Sequence, residues 1–270
     1  MKNPYVLAVI TMMMSTNLLA QEQINLYAAG SLKAALTEIA KAFTKQHGIP
    51  VQTTFGASGL LRERIENGEA ADVFASANME HPERLLKAGK SGPVLLFARN
   101  RLCALAHPKL AVTSGTLLDV LLDPAIKLGT STPRADPSGD YAWRLFQKAE
   151  KIRPGSYVRL DAKALKLTGG PDSPPSKDRN VYGMIVEKKQ ADVFLTYCTN
   201  AVLAVKEVPN LRMIQIPPAL AVGADYGLTI INNAKNGAAQ FALYIMSTIG
   251  QEILARYGVT APALPTQDPL

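Results

Sequence analysis

The chain has 270 residues, 47% of them hydrophobic and 19% charged, and its 29 Lys and Arg against 22 Asp and Glu leave a formal charge of +7. That is the composition of a globular protein with a sizeable core, and it excludes a disordered or fibrous chain. The positive charge is scattered, with no run of five Lys or Arg and no interleaved aromatic platform, which argues against nucleic acid or an anionic membrane surface as the partner.

Met1-Lys2-Asn3 is a short positive segment, Tyr5 to Ala20 is mostly apolar and uncharged, and Leu18-Leu19-Ala20 precedes Gln21 as a cleavage site would. Residues 1–20 are therefore predicted to be a secretory signal peptide. Thr11, Ser15, Thr16 and Asn17 interrupt the apolar stretch, which is too short and polar for a membrane span. Gln21 stands where a lipid anchor would need Cys. Loss of Lys2 with the leader lowers the formal charge from +7 to +6, and the exported remainder is expected to be soluble.

Ile24 to Ala28 has the pattern of a strand, and Leu32 to Gln46 that of a helix with Leu32, Ala35, Leu36, Ile39, Ala40 and Phe43 on one face. A strand over Val51 to Phe55, a helix over Leu60 to Asn67 and a strand over Val73 to Ala75 follow. This β-α-β-α-β succession predicts an α/β sheet covered by helices on both faces. At its two strand-to-helix junctions stand Ala28-Ala29-Gly30-Ser31-Leu32 and Phe55-Gly56-Ala57-Ser58-Gly59-Leu60. The first N–H groups of a helix lack intrahelical acceptors and the dipole is positive there, so each junction is an anion seat in which a serine either caps the helix or turns its hydroxyl to a ligand.

A second unit begins near Leu95 to Arg99, with strands at Leu102 to Ala106 and Lys127 to Thr130 and a short helix over Thr116 to Leu122. Asp136-Pro137-Ser138-Gly139 forms a turn that opens a helix from Asp140 to Lys151, a third junction with a small hydroxyl residue. Gly169 to Ser176 is predicted as an exposed loop. Val181 to Lys188 suggests a helix, Ala191 to Tyr197 and Val222 to Ile231 strands, and Ala238 to Tyr257 a closing helix capped by Gly258. The chain is thus expected to cross twice between two lobes, near Leu96 to Asn100 and near Tyr197 to Val205, with lobe 1 formed by residues 21–97 and 199–270 and lobe 2 by residues 98–198. Two hinge crossings allow closure over a ligand.

Cys103 and Cys198 leave two readings open, a disulfide in an oxidising compartment or buried thiols, with the thiols favoured. No CxxC pair exists, and His47, His81 and His107 lack metal-ligand spacing, so no zinc, redox centre or other cofactor is expected. Gly56-Ala57-Ser58-Gly59-Leu60 approaches the nucleophile elbow of a secreted serine hydrolase, but Leu60 breaks the pattern and no histidine follows in a suitable context.

The segments AAGSL, FGASGLLRERIENGEAADVFASA, DPSGDYA, NVYG and ADVFLTYCTNA, taken in order, resemble those of the periplasmic molybdate-binding proteins of ABC importers over nearly the whole mature chain. The resemblance implies a two-lobe periplasmic binding protein of the type II kind, with mixed sheets flanked by helices. It also implies a monomer that is not an enzyme, captures molybdate or tungstate between its lobes in the periplasm, and delivers it to an ABC permease with its ATPase. Carried over motif by motif, Ser31 and Ser58 would offer hydroxyl and N–H groups, Ser138 and Val181 backbone N–H groups, and Tyr197 its phenolic hydroxyl. The plainer roles are a helix cap for Ser138, a core side chain for Val181 and an aromatic wedge for Tyr197.

Neutral donors at helix ends suit a buried dianion, which tolerates loss of its water shell only if every oxygen is met by a donor. A donor-only site rejects hydrogenphosphate, whose proton needs an acceptor, and excludes sulfate by size. In some archaeal tungstate-binding relatives carboxylates join the coordination, which makes Asp136 and Asp140 candidates. The favoured reading has Asp136 capping the turn and Asp140 complementing the helix N-terminus. The Pro/Ser-rich loop over residues 169–178 is longer than in the resembled family. The alternatives are a receptor for another anion, such as sulfate or phosphonate, on the same fold, and the serine hydrolase. A ferric site would need more ligands than Tyr182 and Tyr197.

Overall fold

The β-α-β-α-β opening is present in the computed structural model, which describes residues 23–173, 179–260 and 262; the predicted signal peptide lies outside them. Strands β1 (Ile24–Ala29), β2 (Val51–Gly56) and β3 (Val73–Ser76) run parallel and are joined by α1 (Lys33–His47) and α2 (Ser58–Glu66). Helix α1 buries Ala35, Leu36, Ile39, Ala40 and Phe43, the face its periodicity indicates. After β3 comes α3 (Glu80–Lys87), which the sequence reading omitted; its Pro82 falls in the first turn, where a missing N–H costs no intrahelical bond.

The two-lobe form depends on β4 (Leu95–Ala106), one 12-residue strand where the sequence suggested two pieces. Its first half pairs antiparallel with β9 (Gly223–Ile230), which in turn pairs with β3. Its second half, buried throughout from Leu102 to Ala106, lies between β7 (Val193–Tyr197) and β8 (Arg212–Gln215), both antiparallel to it. Strands β5 (Leu128–Ser131) and β6 (Leu165–Thr168) extend this second sheet in parallel from β7. One strand therefore serves both sheets, and the chain changes lobes near Asn100 and Arg101.

The return falls later than the expected Tyr197 to Val205. Helix α8 (Cys198–Glu207) follows β7 without a loop, and β8 still pairs with the second half of β4, so the backbone rejoins the first sheet only at Gly223. The second lobe also holds α4 (Leu117–Leu122), α5 (Pro137–Ile152), α6 (Ser156–Lys163) and α7 (Val181–Glu187). The single closing helix expected over Ala238 to Tyr257 is two, α9 (Ala238–Met246) and α10 (Thr248–Arg256), separated by Ser247, whose hydroxyl caps α10 by accepting from the Gly250 N–H. The turn is tight enough that a Cβ on Gly250 would lie 2.4 Å from the Tyr244 carbonyl oxygen.

The cysteines are paired, against the thiol reading. The register that sets Leu102 opposite Tyr197 and Cys103 opposite Thr196 brings Cys103 and Cys198, 95 residues apart in sequence, to a Cα separation of 4.8 Å, well inside disulfide range.

Candidate functional site

The carboxyl ends of β1 and β2 in one lobe face the start of α7 and the end of β7 in the other across a cavity of about 720 Å³. Ser31, Ser58, Val181 and Tyr197 all line it. Sequence positions spanning much of the chain thus converge on one cleft, as expected where helix N-termini meet strand ends in an α/β sheet.

Neither junction serine is a helix cap. Ser31 stands inside a single 3-10 turn (Gly30–Leu32), and Ser58 is the first residue of α2 after Ala57; neither helix start has a side-chain cap bond. The Ser58 hydroxyl oxygen accepts from the Ala77 N–H at 3.1 Å, and Ser31 Oγ lies 3.0 Å from Tyr226 Oη. Val181 opens α7, where its N–H has no intrahelical acceptor, while Asn180 caps that helix by accepting from the Gly183 N–H at 2.9 Å.

Ser138 is placed differently. It is fully buried and does not line the cavity. Its N–H, the group assigned to a ligand by resemblance, donates instead to Asp136 Oδ1 at 3.0 Å. Asp136 is the N-cap of α5, and its carboxylate stands where an external anion would meet that helix. The favoured reading of Asp136 as a cap agrees with this geometry, and the residue also lines the cavity. Burial, which disfavours the charged form, pushes its carboxyl up to about 6; the Ser138 N–H and Ser131 hydroxyl oppose the shift, and Asp140 adds to it. Asp140 accepts from the Arg134 N–H at 2.8 Å and does not line the cavity.

Tyr197 is buried at the end of β7, and burial raises its phenol well above the ordinary range. Its hydroxyl donates to the Ala77 carbonyl at 3.1 Å, tying the second lobe to the end of β3 in the first. Its ring packs edge-on against Tyr226 and Tyr141, so the wedge role is present as well. A second bridge lies beside Ser58, where the Gly59 N–H donates to the Ala135 carbonyl at 2.8 Å. A Cβ at residue 59 would meet Arg134 O at 2.3 Å and Ala135 O at 2.6 Å, so only glycine permits this approach of the lobes.

The sequence reading missed part of the wall. Thr168, Gly169, Gly170 and Ser173 contribute to it, so the start of the Gly/Pro/Ser-rich loop belongs to the cleft; residues 174–178 lie outside the described residues. Lys33 and Arg179 bring positive charge to the lining, Lys33 from an exposed position and Arg179 while paired with Glu187 at 3.0 Å and Glu207 at 2.8 Å. Only spatial proximity reveals these residues, since nothing local in the sequence marks them.

Among the described residues no helix is long and apolar enough to cross a membrane. Residues 24–260 match the model of a family described as bacterial extracellular solute-binding protein. An uncharacterized protein of Pasteurella multocida is 38% identical over 204 residues, covering 74% of this chain and 84% of that protein. The molybdate-binding protein ModA of Escherichia coli is 27% identical over 265 residues, covering 94% and 95%. Among solved structures, the periplasmic molybdate-binding protein of Azotobacter vinelandii superposes with a TM-score of 0.71 at 18% identity, covering 88% of this chain and 99% of that one. The sulfate-binding protein SubI of Mycobacterium tuberculosis does so at 0.72 and 20%, covering 89% and 87%. These structures share the fold. The family and its relatives are substrate-binding proteins, not enzymes, which removes the hydrolase reading of Ser58. The chain belongs to the bacterial extracellular solute-binding protein family.

Proposed function

We propose that this protein captures molybdate or tungstate between its two lobes in the periplasm and passes it, as a monomer, to the permease of an ABC importer. The observation that carries this reading is one inter-lobe cavity lined by two serine hydroxyls that cap no helix, Ser31 and Ser58, and by the N-terminal residue of α7, Val181. Similarity to the Escherichia coli molybdate-binding protein over 94% of the chain supports the choice of anion.

Binding follows from the donors. A dianion entering the cleft exchanges water for O–H and N–H groups already held at fixed positions, each worth about 1.5–3 kcal/mol to a charged acceptor. Lys33 and Arg179 draw the anion in. Tyr197 and Ser138 complete the proposed set by exchange: Tyr197 would release the Ala77 carbonyl to donate to the anion, and Ser138 would release Asp136. Release to the permease follows when the inter-lobe contact at Gly59 parts.

A second reading, another tetrahedral anion such as sulfate or phosphonate, is favoured by the fold shared with the sulfate-binding protein and by Asp136 on the cavity wall. Thermal melts of residues 21–270 with molybdate, tungstate, sulfate or phosphate test both. Ligand at a hundred times its Kd adds about 2.7 kcal/mol, or roughly 5–10 °C for a chain of this size. A shift with molybdate and tungstate alone supports the first reading, and a shift with sulfate or phosphate alone replaces it with the second.

A further inference from the structure

The proton positions around Ser31 follow from groups that can only donate. The Arg101 N–H donates to Asn100 Oδ1 at 2.8 Å, which fixes the amide orientation and leaves Asn100 Nδ2 facing Thr199 Oγ1 at 2.9 Å and Tyr226 Oη at 3.0 Å. An amide nitrogen donates only, so Tyr226 Oη accepts from Asn100. The Tyr226 proton then needs an acceptor: Ser31 Oγ lies at 3.0 Å, while the neighbouring Tyr197 hydroxyl is turned to the Ala77 carbonyl. Tyr226 is wholly buried, so water does not substitute. Ser31 Oγ therefore accepts from behind, and its own proton points into the cavity.

We propose that Asn100 and Tyr226 are positioning residues that hold the Ser31 hydroxyl as a donor toward the cleft. This rests on the reading of the cleft as an anion seat. Ser58 is held in the same sense by a different device, since the backbone Ala77 N–H, also an obligate donor, occupies its oxygen. Both hydroxyls are thus polarised from the protein side, each accepting one bond there and keeping its own proton to donate. The relay also spans the hinge: Asn100 stands where β4 leaves the first sheet, Tyr226 is on β9, and Thr199 is in the first turn of α8 of the second lobe. Relative movement of the lobes therefore acts directly on the group that orients Ser31.

The test is a double-mutant cycle of Tyr226→Phe and Ser31→Ala, read by calorimetric titration with sodium molybdate, sodium sulfate and sodium phosphate. Tyr226→Phe keeps the ring that packs on Tyr197 and Phe97 and removes one oxygen. Ser31→Ala is expected to weaken molybdate binding about ten- to a hundredfold, and Tyr226→Phe about tenfold. The double variant is expected to fall within about twofold of Ser31→Ala alone, a non-additivity that loss of packing does not produce. Asn100→Asp is a second variant: its carboxylate takes the Tyr226 proton and turns Ser31 round, and its effect should shrink in the Ser31→Ala background. Additive effects, or Tyr226→Phe binding as the wild type does, overturn the inference. Failure of the wild type to bind any of the three salts overturns the anion seat itself.

Discussion

Replacing Cys103 and Cys198 together by alanine removes a cross-link that closes 95 residues, from the second half of β4 to the start of α8 in the second lobe. Loop-closure entropy for that length gives about 4.7 kcal/mol of stabilisation, through restriction of the unfolded chain. Both sulfurs lie in a core patch with Leu105, Phe194 and Ala201, so alanine adds only a small packing loss. At 2–4 °C per kcal/mol for a chain of this size, the double variant should melt roughly 10–19 °C lower, with strain in the folded state reducing the effect. Urea unfolding of the wild type, the wild type with reductant and the double variant separates the contributions. The two uncross-linked forms should agree, with lower midpoints and a larger m-value because their unfolded state is more expanded. Equal midpoints and m-values in all three, or two titratable thiols in unreduced, unfolded wild type, would refute the reasoning.

His81 sits on α3 with both ring nitrogens buried and unpartnered, and burial pushes it down to about 4 from 6.5. Between those values the unfolded chain binds more protons, so its contribution is complete above pH 6.5 and is lost as pH falls toward 4, by about 3 kcal/mol. His81→Leu should flatten that loss in urea midpoints at pH 7 and 4.5; parallel curves for variant and wild type would disprove it. Asp136 has the opposite sign: its folded value of about 6 against 3.8 makes the native state bind more protons, so stability falls as pH rises from about 4 to 6, again by about 3 kcal/mol. Asp136→Asn keeps the helix cap and should be more stable than wild type at pH 8 but not at pH 4, as melting curves at the two pH values will show. Gly59→Ala places a methyl group against Arg134 O and Ala135 O and should weaken anion binding at least about tenfold while leaving the anion-free melting temperature within a few degrees. Wild-type affinity in calorimetric titration would refute the assignment of Gly59 as a closing contact.

The elements legible in the sequence were those with a strong local signal. The apolar stripe from Ala35 to Phe43 marks α1, the small-residue turns at Gly30 and Gly56 mark where strands give way to helices, and the Asp136-Pro137-Ser138-Gly139 turn marks the approach to α5, which begins at Pro137 rather than at the expected Asp140. Each depends on neighbours within one or two turns of chain, where periodicity and capping act. The same information placed Ser31, Ser58, Val181 and Tyr197 at element ends, and all four line one cleft. Elements without such a signal were missed: β8 is four residues long, and α8 follows β7 with no turn residue between them.

Composition and local pattern determined that this is an α/β chain with helix N-termini gathered at strand ends. Tertiary structure alone decided which donors remain available there. Asp136 takes the Ser138 N–H, Ala77 takes the Tyr197 proton, and Asn100 acting through Tyr226 turns Ser31 outward. A hydrogen bond consumes a donor whatever its distance along the chain: the partners of Tyr197 and Ser31 lie 120 and 195 residues away. Residue type therefore supplies the inventory of polar groups, and packing decides which of them face the cleft unspent.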